Sequence, residues 1–68
     1  MKNNIRIERA IQNITQHELA ERVGVSRQTI NSIETGRYVP STILALKISS
    51  FFNKTVNEIF LLEEKDLL

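Results

Sequence analysis

The sequence has 68 residues, no cysteine, one histidine and a formal net charge of +1. A chain of this length makes a single domain, residues 1–68, that buries only about 60% of its unfolded surface and usually needs a disulfide, a metal or a partner chain. Without cysteine, and with His17 as the one histidine, a disulfide and a metal cluster are excluded, so we expect no metal or cofactor and infer a partner chain.

Hydropathy and charge indicate where the protein acts. No stretch approaches the ~18 apolar residues of a membrane span, and Met1–Asn4 lacks the apolar run of a signal peptide. We therefore expect a cytoplasmic protein with no membrane association. Residues 1–38 contain six basic and four acidic side chains, whereas residues 39–68 contain three and four, a mild basic bias in the first half.

The N-terminal segment is open to two interpretations. Ile7, Ala10, Ile11 and Ile14 recur at helical spacing, whereas Ile5-Arg6-Ile7 alternates as a strand does. We favour a first helix from about Asn4. A short strand before it, paired with Leu61-Leu62, stays open as an additional element.

The next segment carries clear helix boundaries. Thr15 and Glu18 have capping-box spacing, and Gly24 follows the helix as a C-cap glycine does. Ser26 is a good N-cap for another helix. The pattern predicts helices at Gln16–Val23 and Arg27–Glu34, joined by about three residues. This is the helix-turn-helix layout, at about residues 16–35.

Two more helices are predicted after this motif. Pro40-Ser41 begins a fourth helix that is apolar over much of its surface through Phe52, which predicts a central position in the core. The capping box Thr55–Glu58 begins a fifth helix through Phe60, with Leu61-Leu62 extended beyond it. Residues 63–66 have the composition of a solvated tail.

The run TQHELAERVGVSRQTINSIETGRYVPS, residues 15–41, resembles the XRE/Cro family of phage-repressor-type regulators. The whole chain is similar to short stand-alone members from Gram-positive bacteria. The resemblance implies an all-α fold, a five-helix phage-repressor-like DNA-binding domain, in some members with a small terminal strand pair. It also implies a homodimeric transcriptional regulator, a repressor, that binds a double-stranded DNA operator.

The second helix of the motif offers a polar face. At about 100° per residue, its hydrogen-bonding side chains fall opposite Ile30 and Ile33. Such side chains read base edges in the major groove, although the alternative for each is a solvated surface residue. The candidates for base contact are Arg27, Gln28, Asn31 and Ser32, with a phosphate contact as the alternative for Arg27.

Phosphate contacts are expected at both ends of the motif. Gln16 begins its helix, where backbone N–H groups can meet a phosphate, and the family assigns that role to the matching glutamine. Arg37 and Tyr38 follow the second helix of the motif, the recognition helix, and are expected to contact a second phosphate. Thr29 lies at the edge of the polar face of that helix, where its side chain caps, packs or contacts phosphate. The resemblance further implies a buried ion pair between Arg9 and Glu34.

The last apolar cluster suggests how two copies associate. Its members are either core or, on one face, a dimer interface. The candidates are Val56, Phe60, Leu61 and Leu62. As a whole the sequence favours a DNA-binding regulator over an antitoxin or protein-interaction adaptor with the same fold. No nucleophile–base pair or phosphate-cradling glycine loop indicates an enzyme.

Overall fold

The computed structural model describes residues 1–68 and has five helices and a small antiparallel sheet. The elements in chain order are β1 Lys2–Asn3, α1 Ile5–Gln12, α2 Gln16–Val23, α3 Arg27–Glu34, α4 Thr42–Phe51, α5 Val56–Ile59 and β2 Phe60–Leu61, followed by a 3₁₀ helix at Glu64–Leu67. The predicted five-helix architecture is confirmed, with α2 and α3 at the predicted bounds. None of the helices is both long enough and apolar enough to cross a bilayer.

Hydroxyl side chains begin four of the five helices. Thr15, Ser26, Ser41 and Thr55 each accept a hydrogen bond from the backbone N–H three residues later. At Thr15 and Thr55 the glutamate at that third position completes the capping box. Each cap satisfies backbone donors that have no acceptor within the helix. Because these capping residues are recognisable in the sequence, the helix starts could be predicted from it.

Left-handed residues end the first two helices. Gly24 closes α2 at φ +78°, a conformation in which a side chain is strained. Asn13 closes α1 at φ +56°, where asparagine is tolerated better than most residues. Because α2 ends so sharply, three residues are enough to connect it to α3.

One core unites all five helices. It contains Ile5, Leu19, Ala20, Val23, Ile30, Ile33, Leu44, Ile48, Phe52, Ile59 and Phe60. The predicted central position of α4 is only half correct. Leu44 and Ile48 are buried, but Ile43 and Leu46 are exposed. The helix therefore packs one side against the core and leaves an apolar side open.

The apolar stripe that indicated α1 faces solvent. Ile7 is 59% exposed and Ile11 is 71% exposed, whereas Ile5 and Glu8 are buried. Ile5 is held inward directly after β1, and Arg9 faces the core because it pairs with a buried carboxylate of α3. Residues five, eight and nine share one face at 100° per residue, so seven and eleven fall on the opposite face.

The two strands join the beginning of the chain to α5. Lys2 pairs with Leu61 and Asn3 with Phe60, one residue earlier than the pairing with Leu61-Leu62 that the sequence suggested. The shift follows from α5, which ends at Ile59, so that the extended backbone begins at Phe60. Asn4 N–H continues the ladder to the Ile59 carbonyl at 2.8 Å.

The predicted solvated tail is folded. Its residues form the 3₁₀ helix, and the N-terminal ammonium of Met1 lies 2.8 Å from a Glu63 oxygen and 3.1 Å from an Asp66 oxygen. Hydrogen bonds to Glu63, and to a smaller extent to Asp66, raise the pKa of that ammonium. Glu64, Lys65 and Asp66 are exposed, as expected of a solvated tail, and the contacts of Glu63 and Asp66 with the ammonium place this short helix beside the first residue.

Candidate nucleic-acid interface

Helix α3 has one face in the core and one face open. Ile30 and Ile33 are completely or almost completely buried, which fixes the rotation of the helix. On the other side, Arg27 and Gln28 are exposed, and Asn31 and Ser32 are half-buried. All four predicted base-contact residues therefore lie outside the core and carry hydrogen-bonding groups. The side chains of Arg27 and Gln28 make no hydrogen bond within the chain.

The start of α3 is fixed by two hydroxyls. The Ser26 Oγ accepts from the Thr29 backbone N–H at 3.1 Å and lies 3.0 Å from the Thr29 hydroxyl. The cap is the Ser26 side chain, and the Thr29 hydroxyl contacts it without capping the helix itself. Thr29 stays half-buried, at the edge of the exposed face.

Four of the predicted contact residues surround one shallow cleft of about 270 Å³: Gln28, Thr29, Ser32 and Tyr38. Tyr38 reaches it because Gly36, at φ +80°, reverses the chain after α3. The backbone N–H groups of Arg37 and Tyr38 then donate to the Ser32 carbonyl at 2.9 and 3.2 Å. The turn holds Tyr38 beside α3, and the exposed Arg37 side chain makes no hydrogen bond within the chain.

A buried ion pair joins α1 to the end of α3. Arg9 donates from Nε to Glu34 Oε2 at 2.7 Å and from Nη2 to Glu34 Oε1 at 3.0 Å. Its Nη1 donates to the Ile14 carbonyl at 3.1 Å, and the Glu34 side chain is only 1% exposed. Hydrogen bonding to Glu34 raises the pKa of Arg9 further above its usual value. The ion pair implied by the resemblance is confirmed.

The same carboxylate connects α2 to α3 through Gln16. The Gln16 Nε2 donates to Glu34 Oε1 and to Asn31 Oδ1, both at 3.1 Å. A residue predicted to hold phosphate and a residue predicted to read a base are thus hydrogen-bonded to each other. No spacing of residues along the chain indicates this bond.

The N-terminus of α2 presents free backbone donors. The N–H groups of Gln16 and His17 have no carbonyl within the helix to bond, which is the arrangement that binds anions. Glu18 partly offsets this field, since the Thr15 N–H donates to its carboxylate at 3.0 Å and lowers the pKa of Glu18. His17 lies on the surface and pairs with Glu21 at 2.8 Å.

Two basic residues near this surface were not singled out from the sequence. Arg6 is exposed, and its Nε lies 3.8 Å from Glu34 Oε1, the oxygen that Gln16 contacts. Its position three residues before Arg9 was the available signal, because residues at that spacing share a helix face. Lys47 of α4 borders a second cleft of about 350 Å³ with Thr29 and Tyr38. That proximity depends on how α4 packs, so the sequence carried no signal for it.

Known protein families include one that matches most of this chain. A family model described as helix-turn-helix matches residues 5–59, which include all five α-helices. The chain belongs to this helix-turn-helix family.

The relatives agree with this assignment. The HTH-type transcriptional regulator MJ0272 of Methanocaldococcus jannaschii is 48% identical over 66 residues, 97% of this chain and all of that protein. YgzD of Bacillus subtilis, also an HTH-type transcriptional regulator, is 47% identical over the same shares of both chains. The ImmF control region 10 kDa protein of Bacillus phage phi105 is 36% identical over 53 residues, 78% of this chain and 59% of that protein. The resemblance to XRE-type regulators is confirmed, and the chain is a helix-turn-helix transcriptional regulator, a class that binds DNA.

The residues predicted for a dimer interface lie on more than one face of this regulator. Phe60 is buried in its own core, and Val56 is half-buried. Both border an apolar cleft of about 230 Å³ that also includes Leu46. Leu61 follows Phe60 in β2, where successive side chains point to opposite faces, and it is exposed together with Leu62. Phe60 is thus already used by the monomer, because α5 and β2 close the core.

Proposed function

We propose that this regulator is a homodimeric repressor that places α3 of each protomer in the major groove of one half-site of a near-palindromic operator. The exposed face of α3 carries the proposal. It consists of side chains that donate and accept hydrogen bonds, and the opposite face is locked in the core by Ile30 and Ile33. A B-DNA major groove admits one α-helix with such a face.

Two groups of residues divide the work of recognition. Arg27, Gln28, Asn31 and Ser32 contact base edges, where arginine pairs best with guanine and glutamine with adenine. The phosphate backbone is contacted by the backbone N–H of Gln16 and by Thr29, Arg37 and Tyr38, which set the register of α3 along the groove. This assignment is supported by the position of Gln16 at the capped start of α2 and by the turn that holds Tyr38 beside α3.

A pair of single substitutions tests this division. On the preferred operator, Gln28→Ala should cost about 1–3 kcal/mol and relax base preference at one position. Arg37→Ala should weaken binding to operator and unrelated duplexes about equally and reduce the salt dependence by about one phosphate. Fluorescence anisotropy at several salt concentrations measures both, with Gln12→Ala, an exposed amide on α1, as the control. Equal losses of specific and non-specific binding in both variants would refute the assignment.

Homodimerisation is supported by the size of the chain and by its exposed apolar residues. A domain of 68 residues is marginal alone, and one recognition helix reads too few base pairs for useful specificity. Leu62 is 68% exposed, and Leu61 beside it is also exposed. An isologous interface at this C-terminal region has to place the two α3 helices about 34 Å apart, one turn of DNA.

Sedimentation of a charged variant tests the interface. Leu62→Glu should dissociate the dimer, since a buried carboxylate without a partner is costly. Ile11→Glu is a matched control, because this aliphatic residue is equally exposed but belongs to α1. A wild-type protein that remains monomeric at high concentration, or dissociation by Ile11→Glu alone, would exclude this interface.

The repressor role is supported by one relative. The phage phi105 protein that matches 78% of this chain is named for a control region. In vitro transcription from a promoter that overlaps the selected operator tests the direction of control. Transcript should decrease as the regulator is added, and an increase would show activation instead.

A further inference from the structure

We propose that Gln16 sets the orientation of the Asn31 amide, so that Asn31 presents a hydrogen-bond donor to DNA and selects guanine or thymine rather than adenine. The proposal rests on the proposed function, since it requires that α3 reads base edges. Within that function it adds a positioning residue and the chemistry of one base position.

The orientation is determined by a chain of hydrogen bonds that begins in the core. Arg9 engages both oxygens of Glu34, and the buried carboxylate has acceptors only. The Gln16 atom that lies 3.1 Å from Glu34 Oε1 must therefore be Nε2, because Oε1 in that place would bring two acceptors together.

The same rule then fixes Asn31. Gln16 Nε2 also lies 3.1 Å from Asn31, and the atom facing this donor must be the acceptor Oδ1. The Asn31 carbonyl is thus directed at α2. Its Nδ2 has no hydrogen-bond partner in the chain. A buried polar atom without a partner occurs only at Ser49 Oγ, so the Asn31 Nδ2 is not buried. The Asn31 Nδ2 is consequently open to solvent on the half-buried edge of the α3 face.

A donor facing the groove has definite base preferences. Guanine offers two acceptors, O6 and N7, and thymine offers O4, whereas adenine offers N7 beside the donating N6 amino group. Cytosine presents its N4 amino group, which faces the amide donor unfavourably. The two-bond reading of adenine also requires Asn31 Oδ1 to accept from the N6 amino group, but that oxygen is directed at Gln16. Adenine therefore keeps only the N7 bond, and its N6 amino group faces the amide donor unfavourably, so guanine and thymine are favoured over it.

Selection from randomised duplex DNA tests the proposal. We expect one position of the wild-type operator to lose its preference in Asn31→Ala, and we expect guanine or thymine at that position in the wild type. In Gln16→Ala the amide can turn, so adenine should gain its second hydrogen bond at that position. The wild-type preference for guanine or thymine over adenine, roughly fivefold or more, should then approach equality. The control variant Gln12→Ala should select the wild-type sequence.

A base analogue tests the same point in the wild-type protein, independently of how any variant folds. If guanine is selected, 7-deazaguanine removes its N7 acceptor; if thymine is selected, 5-methyl-pyrimidin-2-one removes O4. Either change should weaken wild-type binding and have no effect on Asn31→Ala.

The outcomes separate the two proposals. Adenine or cytosine at the Asn31 position, no position that responds to Asn31→Ala, or a Gln16→Ala protein with unchanged base preference would each overturn the inference. A wild-type protein that selects no sequence at all would instead overturn the proposed function.

Discussion

Replacing Arg9 by methionine would remove the counter-charge that bonds both oxygens of the buried Glu34 carboxylate. The side chain of Glu34 is 1% exposed and would lose its hydrogen bonds at 2.7 and 3.0 Å. Two partners would remain, the Gln16 amide at 3.1 Å and the exposed Arg6 guanidinium at 3.8 Å. Removal of one member of a buried pair costs about 3–5 kcal/mol when nothing replaces it.

The structure reduces that figure. The Arg9 side chain is 15% exposed, so water can enter part of the vacated space, and Arg6 can move toward the carboxylate. We therefore expect a loss of about 2–3 kcal/mol. Because a chain of this length has a total stability of about 3–10 kcal/mol, the melting temperature should fall by about 10–20 °C.

Urea denaturation followed by circular dichroism measures this loss at a fixed protein concentration. The Arg9→Met/Glu34→Leu double variant should recover part of it, since an apolar pair removes the uncompensated charge. Arg6→Met is the control and should change stability by less than about 0.5 kcal/mol. A cost below about 1 kcal/mol for Arg9→Met, or a double variant as unstable as the sum of the single changes, would refute the reasoning.

Three further predictions concern the helix ends. Thr15→Ala removes the acceptor for the Glu18 backbone N–H and should cost about 1 kcal/mol, measured as a fall of about 4–8 °C in melting temperature. Because capping lowers the pKa of Glu18 from its usual 4.5, its contribution to stability is present above that pH and is lost as the pH falls through the lower folded value. Stability measured between pH 6 and pH 3 should therefore fall less steeply in Glu18→Gln than in the wild type. Gly24→Ala should cost about 1–2 kcal/mol although a Cβ there has open space, and Gly24→Asn should cost less; equal losses would contradict a purely conformational role for Gly24.

Local signals explain why the helix-turn-helix could be located from the sequence. Thr15, Gly24 and Ser26 act on backbone within a few residues of themselves, so their effects are visible as spacing. The face of α1 could not be read in this way. Its isoleucines form a regular stripe, but the buried partner of Arg9 is 25 residues away, and that partner determines which side turns inward.

The candidate site also has features that local signals predict and features that depend on long-range contacts. The exposed face of α3 follows from helical periodicity once Ile30 and Ile33 are placed in the core. The bond between Gln16 and Asn31 depends on how two helices cross, and its polarity depends on Glu34. Neither property is encoded in the spacing of residues along one helix.

The Gln16 hydrogen bonds also have an entropic consequence for DNA binding. Gln16 and Asn31 are already held in place in the free protein, so they would lose little rotamer freedom in the proposed complex. The side chains of Arg27, Gln28 and Arg37 make no hydrogen bonds within the chain, and ordering each of them costs about 0.5–1.5 kcal/mol on association. The proposed contact surface therefore combines a preorganised pair, Gln16 and Asn31, with three side chains that become ordered only on association.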